Sequence, residues 1–247
     1  MISTTDTWLP PPERPVIESG EVHVWRGYLN QEPASVKSFF DILAPDERQR
    51  AQRFHFTKHR EHFIVARGML RRILSHYLDI SPALIHFSYN RYGKPALAVG
   101  ANDNQLRFNV SHANDVALYA VTRGREVGLD IEFIRDDFAS LEIAERFFSA
   151  TEVATLQSLP AQLQTEAFFN CWTRKEAYIK ALGEGLSHPL HSFAVSLAPS
   201  DTAALLSTDN DPEEASRWSL VELSCDTGYV AALVVEGTTP TLRCWQW

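Results

Sequence analysis

Little in this 247-residue chain suits it for cross-linking, membrane insertion or general polyanion binding. Cysteine is scarce. Cys171, Cys225 and Cys244 are odd in number and lack metal-type spacing, so reduced thiols are expected rather than a disulfide framework or a zinc site. No apolar run reaches membrane-spanning length, and the opening MISTTDTWLPPPERP is polar and proline-rich rather than basic and then apolar. A cytoplasmic chain with no membrane partner is expected. Positive charge is in deficit. The net charge is −8, which argues against a nucleic-acid partner. A G-x-S-x-G elbow is also missing, which removes a serine-hydrolase reading of Ser111-His112.

What is present is ordinary in amount and uneven in arrangement. Hydrophobic content of 45% and charged content of 22% fit a soluble globular protein of one large or two small domains. From Asp46 to Arg72 there are eight bases against three acids, so the remainder of the chain is strongly acidic. That local patch fits a small phosphate-bearing ligand or an acidic partner, and equally a salt-laced amphipathic helix. An irregular lead-in over 1–20 precedes a strand at Glu21–Leu29. Pro45 opens a helix that breaks near His55-Phe56-Thr57, and a second helix runs from Lys58 to Leu78. Strands follow at Leu84–Tyr89, Leu106–Val110, Val116–Val121 and Val127–Phe133. Ser149-x-x-Glu152 caps a short helix ending at Pro160. Next comes a helix around Phe168–Leu182 with Gly183 at its C-terminal cap, then strands at 193–197, 218–223, 229–235 and 242–247. Asp201–Ala215 reads as a mobile loop. The stretch VSHANDVALYAV (110–121) weakly repeats as LSCDTGYVAALVV (223–235).

Three stretches carry chemistry. On the Phe168 helix, Trp172, Glu176 and Lys180 recur every four residues and share a side, with Lys175 close by. In Gly128-Leu129-Asp130-Ile131-Glu132 the two carboxylates point to one face of a strand while Leu129, Ile131 and Phe133 go to the core. Adjacent carboxylates repel unless a cation sits between them, and a hard, oxygen-liganded ion such as Mg²⁺ suits them, with Glu176 as a third ligand. An exposed acidic strand face would look the same. Phe108-Asn109-Val110-Ser111-His112 offers a hydroxyl, an imidazole and strand-end N–H groups to a phosphate, or a purely structural histidine. A coenzyme A or nucleotide binding module would need the basic patch and Ser111-His112 but not three carboxylates. A metal-dependent phosphatase or nuclease would use the carboxylates with water.

Together, Asn109-Val110-Ser111-His112, Gly128-Leu129-Asp130-Ile131-Glu132 and Trp172-Thr173-Arg174-Lys175-Glu176-Ala177 with Lys180 and Gly183 resemble the 4′-phosphopantetheinyl transferases of the Sfp type. Tyr92-Gly93-Lys94-Pro95 matches a further element, and the likeness covers about residues 45–197. It implies an α+β fold of two similar pseudo-two-fold-related halves, each a small antiparallel sheet packed with helices. The halves are expected at 1–125 and 126–247. It implies transfer of phosphopantetheine from coenzyme A to a serine of an acyl or peptidyl carrier protein, leaving adenosine 3′,5′-bisphosphate. By position, Asp130, Glu132 and Glu176 are the ligands of Mg²⁺, with Mn²⁺ as an alternative. Glu176, Lys180 and Lys175 are the catalytic candidates. Lys180 should meet the pyrophosphate, and Lys94, Ser111, His112, Arg53 and Lys58 the coenzyme A phosphates. Glu47 stands where some members carry a base. The carrier is expected to dock near Arg135–Phe148 through some of Phe138, Leu141, Ile143, Phe147 and Phe148. A monomer suffices, since the two halves need no dimer.

Overall fold

A computed structural model describes residues 7–98, 105–135, 137–209, 211 and 213–247. The beginning of the lead-in, position 136 of the expected docking segment, and positions 210 and 212 of the acidic stretch lie outside them. The first half runs β1 (Glu21–Tyr28), α1 (Pro33–Asp41), α2 (Pro45–Gln52), α3 (Thr57–Leu78), a small hairpin β2 (Phe87–Tyr89) and β3 (Pro95–Leu97), then β4 (Leu106–Ala113) and β5 (Val116–Arg123). The second runs β6 (Val127–Phe133), α4 (Leu141–Phe147), α5 (Ala150–Ser158), α6 (Ala161–Leu182), β7 (Phe193–Val195) and β8 (Leu205–Thr208), then β9 (Trp218–Leu223) and β10 (Tyr229–Glu236). Each half is therefore one strand, three helices, a two-stranded pair and a closing hairpin. In each, the last strand of the hairpin pairs antiparallel with the first strand, β5 with β1 and β10 with β6. The α+β architecture is as expected, and the weak repeat marks the two closing hairpins.

Several boundaries differ from the sequence reading. β11 (Thr241–Gln246) leaves the second half and adds to β1 in parallel, so the first sheet, β11-β1-β5-β4, is not wholly antiparallel. The lead-in reaches the same edge through a bridge between Leu9 and Trp245. α1 and α4 were not anticipated, because Pro33–Asp41 and Leu141–Phe147 are too short to develop a clear period. The expected mobile loop contains β8, which pairs with β7. Ser111 and His112 sit inside β4 rather than at its end.

Packing follows the alternation of the strands. One cluster joins Trp25, Phe108, Tyr119 and Val121 to Ile64, Met69 and Ile73 of α3. A second joins Leu220, Ala232 and Val234 to Phe168, Ala177 and Ile179 of α6. The opposite strand faces, Val22, Val24, Leu118 and Ala120 against Leu129, Ile131, Leu233 and Val235, form a third. The layers run helix, sheet, sheet, helix, with α3 and α6 outermost. Among the described residues no helix is long and apolar enough to cross a membrane.

The basic stretch is mixed in its surroundings: Arg71 is buried, Arg48, Arg60, Arg67 and Arg72 are half-buried, and Arg50, Arg53 and Lys58 are exposed. Arg71, 1% exposed, donates to Glu47 at 2.7 Å and to the carbonyls of Pro82 and Ile85. Arg67 Nε lies 3.5 Å from Glu47 Oε1. Arg48, Arg50 and Arg72 lie over Phe40, Phe63 and Phe39. Glu47 is buried, and its carboxylate also accepts the Ala44 N–H that begins α2. Among its eight bases, ion pairs are made by Arg67 and Arg71 with Glu47 and by Lys58 with Asp115.

Candidate active site

The site forms where β4 and β6, edge strands of the two sheets, run beside the last turns of α6. Two residues make the approach possible. Asn109 Oδ1 accepts the Leu129 N–H at 3.0 Å, so a side chain replaces a strand partner at the seam. At Gly128 an added Cβ would stand 2.0 Å from Ala177 O and 2.3 Å from Ala181 N. Only glycine lets α6 lie this close to β6. The sequence reading assigned neither residue a role, although Asn109 opens one quoted motif and Gly128 another.

On α6 between Ala167 and Ala181, every residue is buried except Trp172, Glu176 and Lys180, the four-residue recurrence read from the sequence. Lys180 Nζ donates to Asp130 Oδ1 at 2.5 Å and to Ser111 Oγ at 3.0 Å, and Ser111 Oγ donates to the same Asp130 oxygen at 2.8 Å. Asp130 is 3% exposed, and its other oxygen, Oδ2, is buried without a hydrogen-bond partner. Glu132 and Glu176 make no hydrogen bond among the described residues. Burial, then the Asp130 charge, pushes both carboxyls up to about 7 against the pull of Lys180. His112 is exposed on β4, yet desolvation, followed by Lys180 and His62, holds its pKa below the usual value.

Four expected site residues are elsewhere or otherwise engaged. Lys175 is not in the site. It is fully buried on the opposite side of α6, paired with Glu152 at 2.8 Å and donating to Leu190 O and Phe193 O. A single step along a helix turns a side chain by about 100°, which carries Lys175 away from the Glu176 side. Lys94 reaches the end of α6, but its three ammonium protons go to Glu126, Val127 O and Ala181 O at 3.1, 3.3 and 2.9 Å. Its ammonium is thus committed to the protein rather than displayed to a phosphate. Arg53 is exposed at the end of α2 and bonded to Gln49. Lys58 pairs with Asp115 at 3.1 Å, beside His62, and so stands on the His112 side of the molecule.

Among the described residues no three histidine, cysteine or carboxylate side chains are gathered as a formed metal cluster, and the Lys180 ammonium stands on Asp130 instead. The donor set nevertheless suits a hard divalent cation. A buried carboxylate oxygen has no partner, and burial together with the Asp130 charge raises two neighbouring carboxyls to about 7, a cost that a cation would relieve.

Residues 126–234 match the model of the 4′-phosphopantetheinyl transferase superfamily, and residues 30–123 match that of the 4′-phosphopantetheinyl transferase N-terminal region. The chain is 39% identical to the 4′-phosphopantetheinyl transferase HetI of Nostoc sp., over 94% of each protein. This chain belongs to the 4′-phosphopantetheinyl transferase superfamily. It is 30% identical to the Bacillus subtilis enzyme Sfp over 79% of this chain and 83% of that one. It is 27% identical to the human L-aminoadipate-semialdehyde dehydrogenase-phosphopantetheinyl transferase, over 78% and 67%. The reaction of the family is transfer of phosphopantetheine from coenzyme A to a carrier protein.

Proposed function

We propose that this transferase works at the β4–β6–α6 seam, with Asp130, Glu132 and Glu176 holding Mg²⁺ and Lys180 facing the pyrophosphate of coenzyme A. The observation that carries this reading is Asp130. It is a buried carboxylate, bonded through one oxygen to Lys180 and Ser111, with its second oxygen unpartnered beside two protonated-leaning glutamates. Burying such a group without a partner is costly, so the arrangement makes sense as one completed by a ligand. Bound Mg²⁺ would supply charge stabilisation to the transferring phosphoryl group.

The remaining work falls to side chains of this chain. Phosphoryl transfer needs charge neutralisation and alignment more than covalent help. The Lys180 ammonium, 29% exposed, can turn from Asp130 towards a phosphate oxygen. The incoming serine oxygen forms a bond to the phosphorus attached to pantetheine, and the bond to the bisphosphate leaving group breaks. The serine proton needs an acceptor. Glu176, or a metal-bound water that it orients, is the acceptor this reading assigns. A cleft of about 770 Å³ lined by Tyr89, Pro95, Arg107, Phe108 and Leu182 adjoins the end of α6 and offers coenzyme A a wall.

For the carrier, the 135–148 segment divides. Phe138 packs edge-on against Phe168 and Trp172, Phe147 packs on Trp172, and Phe148 is buried, so these are core. Ile143 is half-buried against the same core, and Leu141, 43% exposed, is the residue of the set left to meet a partner.

The test is mass spectrometry of an apo carrier protein incubated with coenzyme A and this protein, with Mg²⁺ or with a chelator. A phosphopantetheine mass increment that disappears on chelation and returns with Mg²⁺ is expected. Modification that survives chelation would remove the metal from the proposal.

A further inference from the structure

The turn that links β2 to β3 does something that coenzyme A binding alone does not require. The last carbonyls of a helix lack intrahelical partners, and its C-terminus attracts cations. α6 ends on Gly183 at φ +74°, where the Gly183 and Glu184 N–H groups return to Ile179 O. Of the carbonyls after it, two are met by the other half of the molecule. Lys94 Nζ donates to Ala181 O at 2.9 Å and Asn90 Nδ2 donates to Gly183 O at 2.6 Å. The same Lys94 ammonium takes Val127 O and Glu126 Oε2 at the start of β6. The turn is built for this. Asn90 Oδ1 accepts the N–H groups of Tyr92 and Lys94, both at 2.9 Å, and Gly93 adopts φ +87°. A Cβ on Gly183 would stand 3.1 Å from both Asn90 Nδ2 and Lys94 Cδ, so that glycine admits the turn as well as ending the helix.

Position makes these bonds consequential. Lys180 directly precedes Ala181, and Asp130 is three residues after Val127. One ammonium thus ties together the two elements whose side chains meet at the site. We propose that Asn90 and Lys94 are positioning residues that clasp the end of α6 to the start of β6 and so set the offset between Lys180 and Asp130, an inference that rests on the site described under Proposed function. The clasp touches neither the phosphate nor the serine. It acts through Lys180 and Glu176, whose placement to a fraction of an ångström governs rate.

Lys94→Met, Lys94→Arg and Asn90→Ala should be compared in steady-state transfer to an apo carrier protein, with amide hydrogen exchange of residues 178–183 measured without ligands. Lys94→Met should lose about tenfold in kcat, while its KM for coenzyme A stays within about threefold of wild type. Exchange at the end of α6 should accelerate in the ligand-free protein. Asn90→Ala should move both readouts in the same direction by less, and it stays informative if Lys94→Met fails to fold, because the three bonds it removes belong to an exposed turn and strand no buried charge. Lys94→Arg should restore most of kcat. A raised KM at unchanged kcat and unchanged exchange would make Lys94 a ligand contact and overturn the clasp. Lys180→Ala separates the two failures. Wild-type kcat in that variant would discard the site itself, whereas a loss there beside an unaffected Lys94→Met would discard only the clasp.

Discussion

α3 and α6 hold equivalent places in the two halves. Each has 22 residues, each ends on a left-handed residue, and each covers the outer face of a sheet. They differ in how their polar side chains are satisfied. On α3 the buried Arg71 finds Glu47 and two carbonyls. The buried His23 on the neighbouring β1 finds Tyr77 Oη at 2.8 Å and Glu21 at 3.3 Å. On α6 the buried Lys175 and Arg174 are settled in the same way, against Glu152 and against Ser196 and Glu222. The Trp172–Glu176–Lys180 side is not. It faces Asp130, with one oxygen orphaned, and Glu132, with none of its oxygens bonded among the described residues. Both halves bury polar atoms without a hydrogen bond, Glu47 Oε1 and Arg67 Nη1 at α3 and Asp130 Oδ2 at α6. The difference is that Glu47 Oε1 lies 3.5 Å from Arg67 Nε, whereas Asp130 is set among two further carboxyls.

The sharpest way to break that contrast is to neutralise one charge in each half. Arg71→Met strands Glu47 in the interior and should cost about 3–5 kcal/mol, a fall in Tm of roughly 10 °C with residual activity per folded molecule preserved. Glu176→Gln should do the reverse, lowering kcat by about 100-fold or more while leaving Tm unchanged or higher. Melting curves and transfer rates on both variants check this. Wild-type transfer by Glu176→Gln would end the catalytic reading of α6.

A second, smaller effect is on pH. Glu132 and Glu176 are raised from 4.5 to about 7 in the folded chain. They bind protons more tightly folded than unfolded, so the stability they contribute is full below about 4.5 and is lost as pH rises through about 7. Without metal, the Tm of the wild type should fall over that window relative to a Glu132→Gln/Glu176→Gln double variant. Added Mg²⁺ should recover the difference above pH 7, since it binds only the folded state. Parallel curves for the two proteins would mean the carboxylates are solvated and not poised.

The smallest effect concerns the partner. Leu141→Ala should raise the KM for carrier protein a few-fold with kcat and Tm nearly unchanged, because its side chain is 43% exposed. Phe138, closed in among Phe168, Phe169 and Trp172, should instead report on stability when truncated. Steady-state kinetics with the carrier varied distinguishes the two.

Local rules were enough for much of this molecule. Pro45, the Ser149–Glu152 box and Gly183 bound helices where their capping chemistry says they should. The period-two and four-residue recurrences put Asp130 with Glu132, and Trp172 with Glu176 and Lys180, each on one face. Those are short-range properties, set by dihedral preference and side-chain direction. Which partner a charge would find was not local. Lys175 differs from Glu176 by one position, yet it is spent on Glu152 across α5. Lys94 looks like a phosphate ligand until α6 arrives to claim its protons, and Glu47 looks like a misplaced acid until Arg71 reaches it. Composition and spacing determined that acids, bases and a phosphate-suited loop were present and on which faces. Only the tertiary structure, by pairing Lys175, Lys94 and Glu47 with opposite charges and setting Asp130 beside Glu132 and Glu176, decided which of them the proposed site can use.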